Sequence, residues 1–552
     1  MSRDAVITLA LDHHKAGRLT EADRFYRALL SFDPGDPDAL HLSGIIALAM
    51  SDPARSLDLV SRAIARRDTA HYRLSLAAAL VANGRLDEAV RASEACLAVG
   101  MERPEMHESM ATLYVAQRRW TDAEAACRRA IATHPRPAQA WHHLGTALQH
   151  LGRIEEAADA FAHALALRPG APDTLAALGN TLRSLDRLDE SEAALRQVLA
   201  LRPADPAVIN NAALTRAALG HHAEALALMN TAHRIAPEHP AVRYNRAHML
   251  LRFGRMAEAW PELEARIALD PDDATYARHA AIPRWAGEPL DGRTILLTHE
   301  QGSGDTIQFI RYAALVAGRG GRVVLDIQQP LQRLAATLPV VDHLAAPRLA
   351  APGDTPELHC PLMSLPGLFG TTIETIPATI PYLSAEPTAA AAWAARIGSH
   401  GPGLRVGLVW AGNPHHPDDR MRSIPFAAFA PLLAMLGLRW FSLQVGPRAA
   451  DAAGLDGITD LSPGLTDFAE TAAAMAALDL IIAVDTSSAH LAGALGRPVW
   501  LLLPLNADWR WLIDEATSPW YPTMRLFRQD SRRIWHPVLE RVATELGRLA
   551  ST

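Results

Sequence analysis

Between residues 478 and 504 the chain reads LDLIIAVDTSSAHLAGALGRPVWLLLP, and its polarity switches abruptly. The apolar run LDLIIAV has strand length and stops at Asp485, Thr486, Ser487 and Ser488. A small-residue segment follows, with His490 one turn in and Gly496 at its end, before the apolar PVWLLLP. The pattern predicts a buried strand, a helix opened by hydroxyls and a second buried strand. The helix of this β-α-β unit starts polar.

The first half follows a different rhythm. AWHHLGTALQHLGRIEEAADAFAHALALRPG at 140–170 is echoed 34 residues later by TLAALGNTLRSLDRLDESEAALRQVLALRPA. Extending the register predicts eight helix-turn-helix units, starting near residues 3, 37, 70, 104, 138, 172, 206 and 240. Gly145, Ala157 and Ala164 fall where two helices must touch, with Trp141, Leu144 and Phe161 filling between units. Pro34, Pro135, Pro169, Pro203, Pro237 and Pro271 recur where each second helix stops.

Past Pro271 the period ends, and IPRWAGEPLDGRT reads as a linker. The apolar runs TILLTH and RVVLDIQ flank helical TIQFIRYAALVAGRG. A second set, RVGLVWAG, RWFSLQVG, LDLIIAVD and PVWLLLP, is likewise separated by helical segments. Strands alternating with helices predict two parallel sheets in series, covered on both faces and joined around residues 385–403. Ligands of such folds bind beyond the carboxyl ends of the strands.

At 552 residues the chain allows two or three domains, and its formal charge of −7 supplies no global field for nucleic acid. Cys96, Cys127 and Cys360 are too scattered for a zinc site or a disulfide framework. The N-terminus breaks its apolar positions with acids and a His pair, and no run approaches membrane-spanning length. A cytoplasmic protein without a membrane span is expected. Lys15 is the sole lysine among 53 basic residues, so an anion bound elsewhere must be met by Arg, His, hydroxyls or backbone N–H groups.

Three loops can carry chemistry. HEQGSGDTIQFIRY follows a strand and opens a helix, with Gly302 and Gly304 letting the backbone approach a ligand and Asp305 at the helix start. An N-cap would account for Asp305 by itself. GLVWAGNPHHPDDRMRSIP leaves a strand at Trp410 and carries Asn413, Arg420 and Arg422, which read either as a solvated charge run or as phosphate contacts. Thr486, Ser487 and Ser488 begin a helix whose N–H groups favour an anion that His490 can also reach, a denser polar cluster than a cap needs.

The 34-residue array resembles the tetratricopeptide repeat over residues 3–273, which implies a solenoid that holds a peptide or protein segment in its groove. Asn211 and Asn245 match the asparagine ladder of O-linked N-acetylglucosamine transferases, with Asn210 beside them. The earlier repeats depart from it with Ser75, Ser109, His143 and Ala177. Residues 285–550 look like a GT-B glycosyltransferase of the heptosyltransferase-like family 9 type, with Rossmann-like halves at 285–385 and 404–550. GSGDTIQFIRY resembles that family's glycine-aspartate loop, whose aspartate is the proposed general base, and Asp305 matches it. VDTSSAHLAGALG resembles its Asp-Thr-Gly-x-x-His-Leu nucleotide-diphosphate loop, with Ser487 in place of glycine. The tail DWRWLIDEATSPWYPTMRLFRQ resembles the bacterial TPR transferases.

The resemblance implies an inverting, metal-independent transfer from a nucleotide sugar, with no other cofactor, to a Ser or Thr of a protein in the groove. Flagellin is the acceptor that relatives of this architecture suggest. Asp305 would take the proton. Gly302, Gly304, Asn413, Arg420 or Arg422, Asp485, Thr486, Ser487, Ser488 and His490 would meet the donor. Gln444 would meet its base, and Gln308 and Arg311 the acceptor. Asp-x-Asp triplets occur at Asp36-Pro37-Asp38 and Asp270-Pro271-Asp272, both inter-repeat turns, so no metal site is read from them. The domain lacks the lysine that relatives place at the donor phosphates, which keeps a catalytically inactive scaffold in play. Transfer to a lipopolysaccharide sugar is a further alternative, and a homodimer through the convex side of the repeats stays open.

Overall fold

The computed structural model describes residues 2–98, 104–133, 136–269, 274–341, 343–344, 355–416 and 419–550. The chain divides into two compact units, Met1–Leu201 and Arg202–Thr552. A helix begins at each of the eight expected repeat starts, from Arg3–Lys15 and Pro37–Ala49 to Pro206–Ala218 and Pro240–Arg252. Six helix pairs lie in the first unit. The last two pairs belong to the second unit with the α/β region, although their sequence groups them with the first six.

The repeat pattern has a direct physical basis. In the fifth repeat a β-carbon on Gly145 would meet the Phe161 ring at 2.6–2.8 Å, so the helices Ala138–His150 and Ile154–Leu167 approach through a missing side chain. Phe161 is fully buried there, as are Ala157 and Ala164, and burying such a ring contributes about 1.5–3 kcal/mol. Trp141 is half-buried and stacks on His163 at 4.5 Å. Pro34, Pro169, Pro203 and Pro237 each sit two residues beyond a helix end; Pro135 and Pro271 lie outside the described residues. The Asp36-Pro37-Asp38 turn is a helix start: Asp36 accepts from the Asp38 and Ala39 amides at 2.9 and 3.0 Å, with proline next. Of the second triplet, Asp270, Pro271 and Asp272 lie outside the described residues.

The α/β region holds two all-parallel sheets. The four-stranded sheet has order β3-β2-β1-β4, with β1 Thr294–Thr298, β2 Arg322–Asp326, β3 His343–Leu344 and β4 Leu358–Pro361. The six-stranded sheet has order β10-β9-β8-β5-β6-β7. Its strands are β5 Leu404–Val409, β6 Leu438–Ser442, β7 Ile458–Asp460, β8 Leu480–Val484, β9 Val499–Leu503 and β10 Met524–Arg528. Every residue of β1, β8 and β9 is buried, as strands covered on both faces require. All six apolar runs form strands, and the stretch from 478 to 504 folds as β8, the helix Ser487–Ala494 and β9, with Gly496 at φ +68° closing the helix. Four strands, β3, β4, β7 and β10, were not anticipated. TIQFIRYAALVAGRG is a broken helix, Ser303–Phe309 followed by a 3-10 turn at Ile310–Tyr312 and Ala313–Ala317.

The eighth repeat is bonded into this region. Trp260 is 4% exposed, donates from Nε1 to the Thr371 carbonyl at 2.8 Å and packs edge-on against Trp509 at 5.9 Å. Arg266 makes a bidentate bond to Glu300, at 2.8 and 3.1 Å, and both side chains are almost wholly buried. Glu300 also accepts from the Met363 amide and the Tyr276 hydroxyl, so its desolvated charge is met on every side. Among the described residues no helix is long and apolar enough to cross a membrane.

A Gly145→Val substitution should force the fifth repeat open and lower unfolding stability by about 1–3 kcal/mol, read from urea unfolding followed by circular dichroism. An unchanged midpoint would show that the two helices part without loss.

Candidate functional site

The loops at the carboxyl ends of β1, β5, β6, β8 and β9 enclose one cleft of about 980 Å³. β1 is flanked by β2 and β4, and β5 by β6 and β8, so in both sheets the strand order reverses at a strand whose carboxyl end opens on this cleft. Gly302, Gly304, Asp305, Asn413, Arg422, Gln444, Asp485, Thr486, Ser487, Ser488 and His490 all line it.

Asp305 occupies the third position of its helix. Its Oδ2 accepts from the Gly302 amide at 2.9 Å, and its Oδ1 is bonded to the Arg510 guanidinium. Burial raises its pKa above the usual carboxylate range against the opposing pull of Arg510. Gly304 brings the two halves together: a β-carbon there would stand 3.0 Å from His490 Cδ2 and 3.5 Å from Ser487 Cα. The space a Gly304 side chain would need is taken by His490, while its backbone lines the cleft.

Arg510 is the hub. It bonds Asp508 at 2.9 Å, Asp305 and the Gln308 side-chain oxygen, and lies over the Trp509 and Phe309 rings at 4.4 and 5.6 Å. Burial alone would depress its pKa, but Asp508 and Asp305 more than reverse this and keep it charged. Burial also opposes ionisation of Asp508, yet Arg510 holds that carboxyl below the usual range. Asp485 shows the opposite outcome: burial and the Asp508 charge push its pKa up, while its Oδ2 accepts from Trp511 Nε1 at 2.9 Å.

His490 is 5% exposed, with Nδ1 2.9 Å from the Tyr521 hydroxyl and its ring 5.2 Å from that of Trp511. Burial depresses its pKa to about 3, helped by Arg510, so it meets the cleft as a neutral imidazole. Thr486 turns its hydroxyl back to the Val484 carbonyl at 3.2 Å and makes no side-chain cap. Ser487 and Ser488 line the cleft with hydroxyls that make no hydrogen bond among the described residues, beside the first-turn amides.

Several expected contacts are corrected. Gln444 is 3% exposed, and its amide is consumed by backbone: Oε1 accepts from Trp410 and Ala411, and Nε2 donates to the Ala411 and Val445 carbonyls. It braces the end of β5 rather than offering itself to a base. Gln308 is fully buried beneath Arg510. Arg311 is also buried, donating to the Gln308 and Trp520 carbonyls at 2.8 Å and to Tyr382 at 3.0 Å, under the Tyr521 ring. Neither can reach an acceptor from there. Arg420 is exposed and outside the cleft lining, whereas Arg422 lies over Gly412, where a β-carbon would meet its Nη2 at 2.8 Å. Arg422 Nε is buried and makes no hydrogen bond among the described residues, although Asp419 stands 3.6 Å away. Asn413 spends its side-chain oxygen on the His415 amide.

Asn210 is 5% exposed and accepts from Asn245 Nδ2 at 3.2 Å, so two of the three repeat asparagines bond each other; Asn211 is half-buried. Asp508, Arg510, Trp511 and Tyr521 were missed as site residues. The signal was available in part, since Asp508-Trp-Arg-Trp follows the carboxyl end of a predicted strand. Tyr244, His248 and Arg252, spaced by four on the helix Pro240–Arg252, line the cleft as well. Among the described residues no group of three or more His, Cys, Asp or Glu is arranged to hold a metal ion.

Comparison with known proteins matches the description Tetratricopeptide repeat at residues 41–95 and 109–172, and again at 148–213 and 216–281. The chain carries tetratricopeptide repeats. Such repeats typically bind peptide or protein partners. The chain is 28% identical over 316 residues to Protein FlbA of Caulobacter vibrioides, covering 53% of this chain and 52% of that protein. It therefore spans about half the length of the curated relative it matches. Among solved structures it is similar to YrrB, a TPR protein with an unusual peptide-binding site, at 18% identity and TM-score 0.30, covering 32% of this chain and 92% of that one. MamA matches at 19% identity and TM-score 0.27, covering 29% of this chain and 93% of that one.

Two outcomes test this electrostatic reading. Arg510→Ala strands the Asp305 and Asp508 charges and should cost about 3–5 kcal/mol, measured by urea unfolding; a loss below 1 kcal/mol, the range of a surface pair, would remove Arg510 from the hub. His490 binds fewer protons folded than unfolded between about pH 3 and its ordinary pKa of about 6.5, so stability is lost as pH falls through that window. From pH 7 to 5 the wild type should lose about 2 kcal/mol more than His490→Gln, and equal losses would mean that His490 is not held neutral.

Proposed function

We propose that the cleft transfers a sugar from a nucleotide-activated donor to a hydroxyl of a protein held by the repeats, on a GT-B-like pair of sheets. The observation that carries this reading is the convergence, at one cleft, of the Gly302–Asp305 loop and the start of the helix Ser487–Ala494. The acceptor oxygen would bond to the anomeric carbon from the face opposite the leaving group. The anomeric carbon–oxygen bond would break with its electron pair going to the departing phosphate.

Asp305 is the group assigned the acceptor proton. Desolvation makes its carboxylate a stronger base than a solvated one, while Arg510 favours the ionised form that a base needs. The leaving anion would be met by the Ser487 and Ser488 hydroxyls, the first-turn amides and Arg422. Arg422 would thus replace the lysine that this domain lacks. Flagellin is the acceptor that the architecture suggests.

A second reading is a non-catalytic scaffold, and the engagement of both Asp305 oxygens favours it. The intact masses of surface proteins, flagellin first, separate the two. Cells carrying the wild type should show a sugar-sized mass that is absent from a deletion strain and from Asp305→Asn, with a loss of at least a hundredfold in the latter. Identical masses in all three strains would overturn transfer to protein.

A further inference from the structure

The eighth repeat does more than end the array: the helix Pro240–Arg252 presents Tyr244 and His248 to the same cleft as Asp305. The two rings stand 4.3 Å apart, one helical turn from each other. His248 Nε2 is buried and has no hydrogen-bond partner among the described residues, an expensive state for a polar atom. Burial keeps this imidazole neutral, with its pKa depressed to about 4. Of the polar groups nearby, Asp508 and Arg510 are engaged with each other and Gln444 with backbone.

We infer that Tyr244 and His248 form the acceptor subsite, where His248 Nε2 hydrogen-bonds the hydroxyl of the side chain to be modified and Tyr244 packs against it. This rests on the transferase reading above. A neutral imidazole suits the task because it donates to the hydroxyl oxygen without adding charge, leaving the hydroxyl proton to point at a carboxylate. A repeat helix is also a suitable carrier, since the acceptor in this reading is a protein held by the repeats. His490, the cleft histidine anticipated from sequence, spends its Nδ1 on Tyr521.

The test uses the full chain. UDP, GDP, ADP and CMP are titrated for binding, and the corresponding labelled nucleotide sugars are supplied with extract from a deletion strain to read label incorporated into protein. His248→Ala should keep nucleotide affinity within twofold and its melting temperature near wild type. It should also lower incorporation at least tenfold, through a larger half-saturating amount of extract. His248→Gln, which retains a donor near the same place, should recover part of that loss. Wild-type incorporation by His248→Ala overturns the subsite. So does a parallel loss of nucleotide binding, melting temperature and incorporation that His248→Gln does not relieve, because His248 would then be structural. A wild-type chain that binds none of the four nucleotides overturns the transferase reading itself, a result distinct from normal transfer by His248→Ala.

Discussion

The Arg510 guanidinium is the interaction on which the cleft depends. It arrives from the loop after β9, in the six-stranded sheet, and binds Asp305 and Gln308 on the helix that follows β1, in the four-stranded sheet. One side chain therefore ties the carboxyl edges of both sheets. Taking it out of water is tolerable because its donors meet Asp508, Asp305 and Gln308 and its faces meet Trp509 and Phe309. The same charge separates the two neighbouring carboxyls, holding Asp508 ionised while Asp485, farther from compensation, is pushed toward its neutral form.

A second buried pair performs the corresponding task at the repeat end. Arg266 follows the last repeat helix and grips Glu300, just before the Gly302–Asp305 loop. Trp260 adds apolar anchorage against Trp509, the residue adjacent to Arg510. The eighth repeat, the glycine-aspartate loop and the Asp508–Arg510 loop thus share one packed boundary. The seventh and eighth repeats accordingly fall in the same compact unit as the sheets.

Much of the secondary structure was legible because its causes are local. Small residues every 34 positions and prolines at helix ends mark the repeats, and unbroken apolar runs mark strands buried on both faces. β3 and β7 escaped because two- and three-residue strands carry too little pattern. Within the site, Asp305, Arg422 and the Ser487–Ser488 pair were legible as polar groups at the carboxyl ends of predicted strands. Gln444, Gln308 and Arg311 looked equally available in sequence, yet backbone amides and carbonyls consume Gln444, carbonyls and Tyr382 take up Arg311, and Gln308 is buried beneath Arg510. A polar residue's remaining hydrogen-bonding capacity depends on neighbours remote in the chain.

Sequence by itself determined the eight helix pairs, six of the ten parallel strands and the polar loops at their carboxyl ends, since each follows from side-chain period and backbone preference within a few tens of residues. Tertiary structure alone decided which of two arginines meets the cleft, that Arg510 joins two loops 205 positions apart, and that Tyr244 and His248 of a repeat helix enter the same cavity. Those outcomes rest on burial and on long-range charge pairing, and neither exists until the chain has closed on itself.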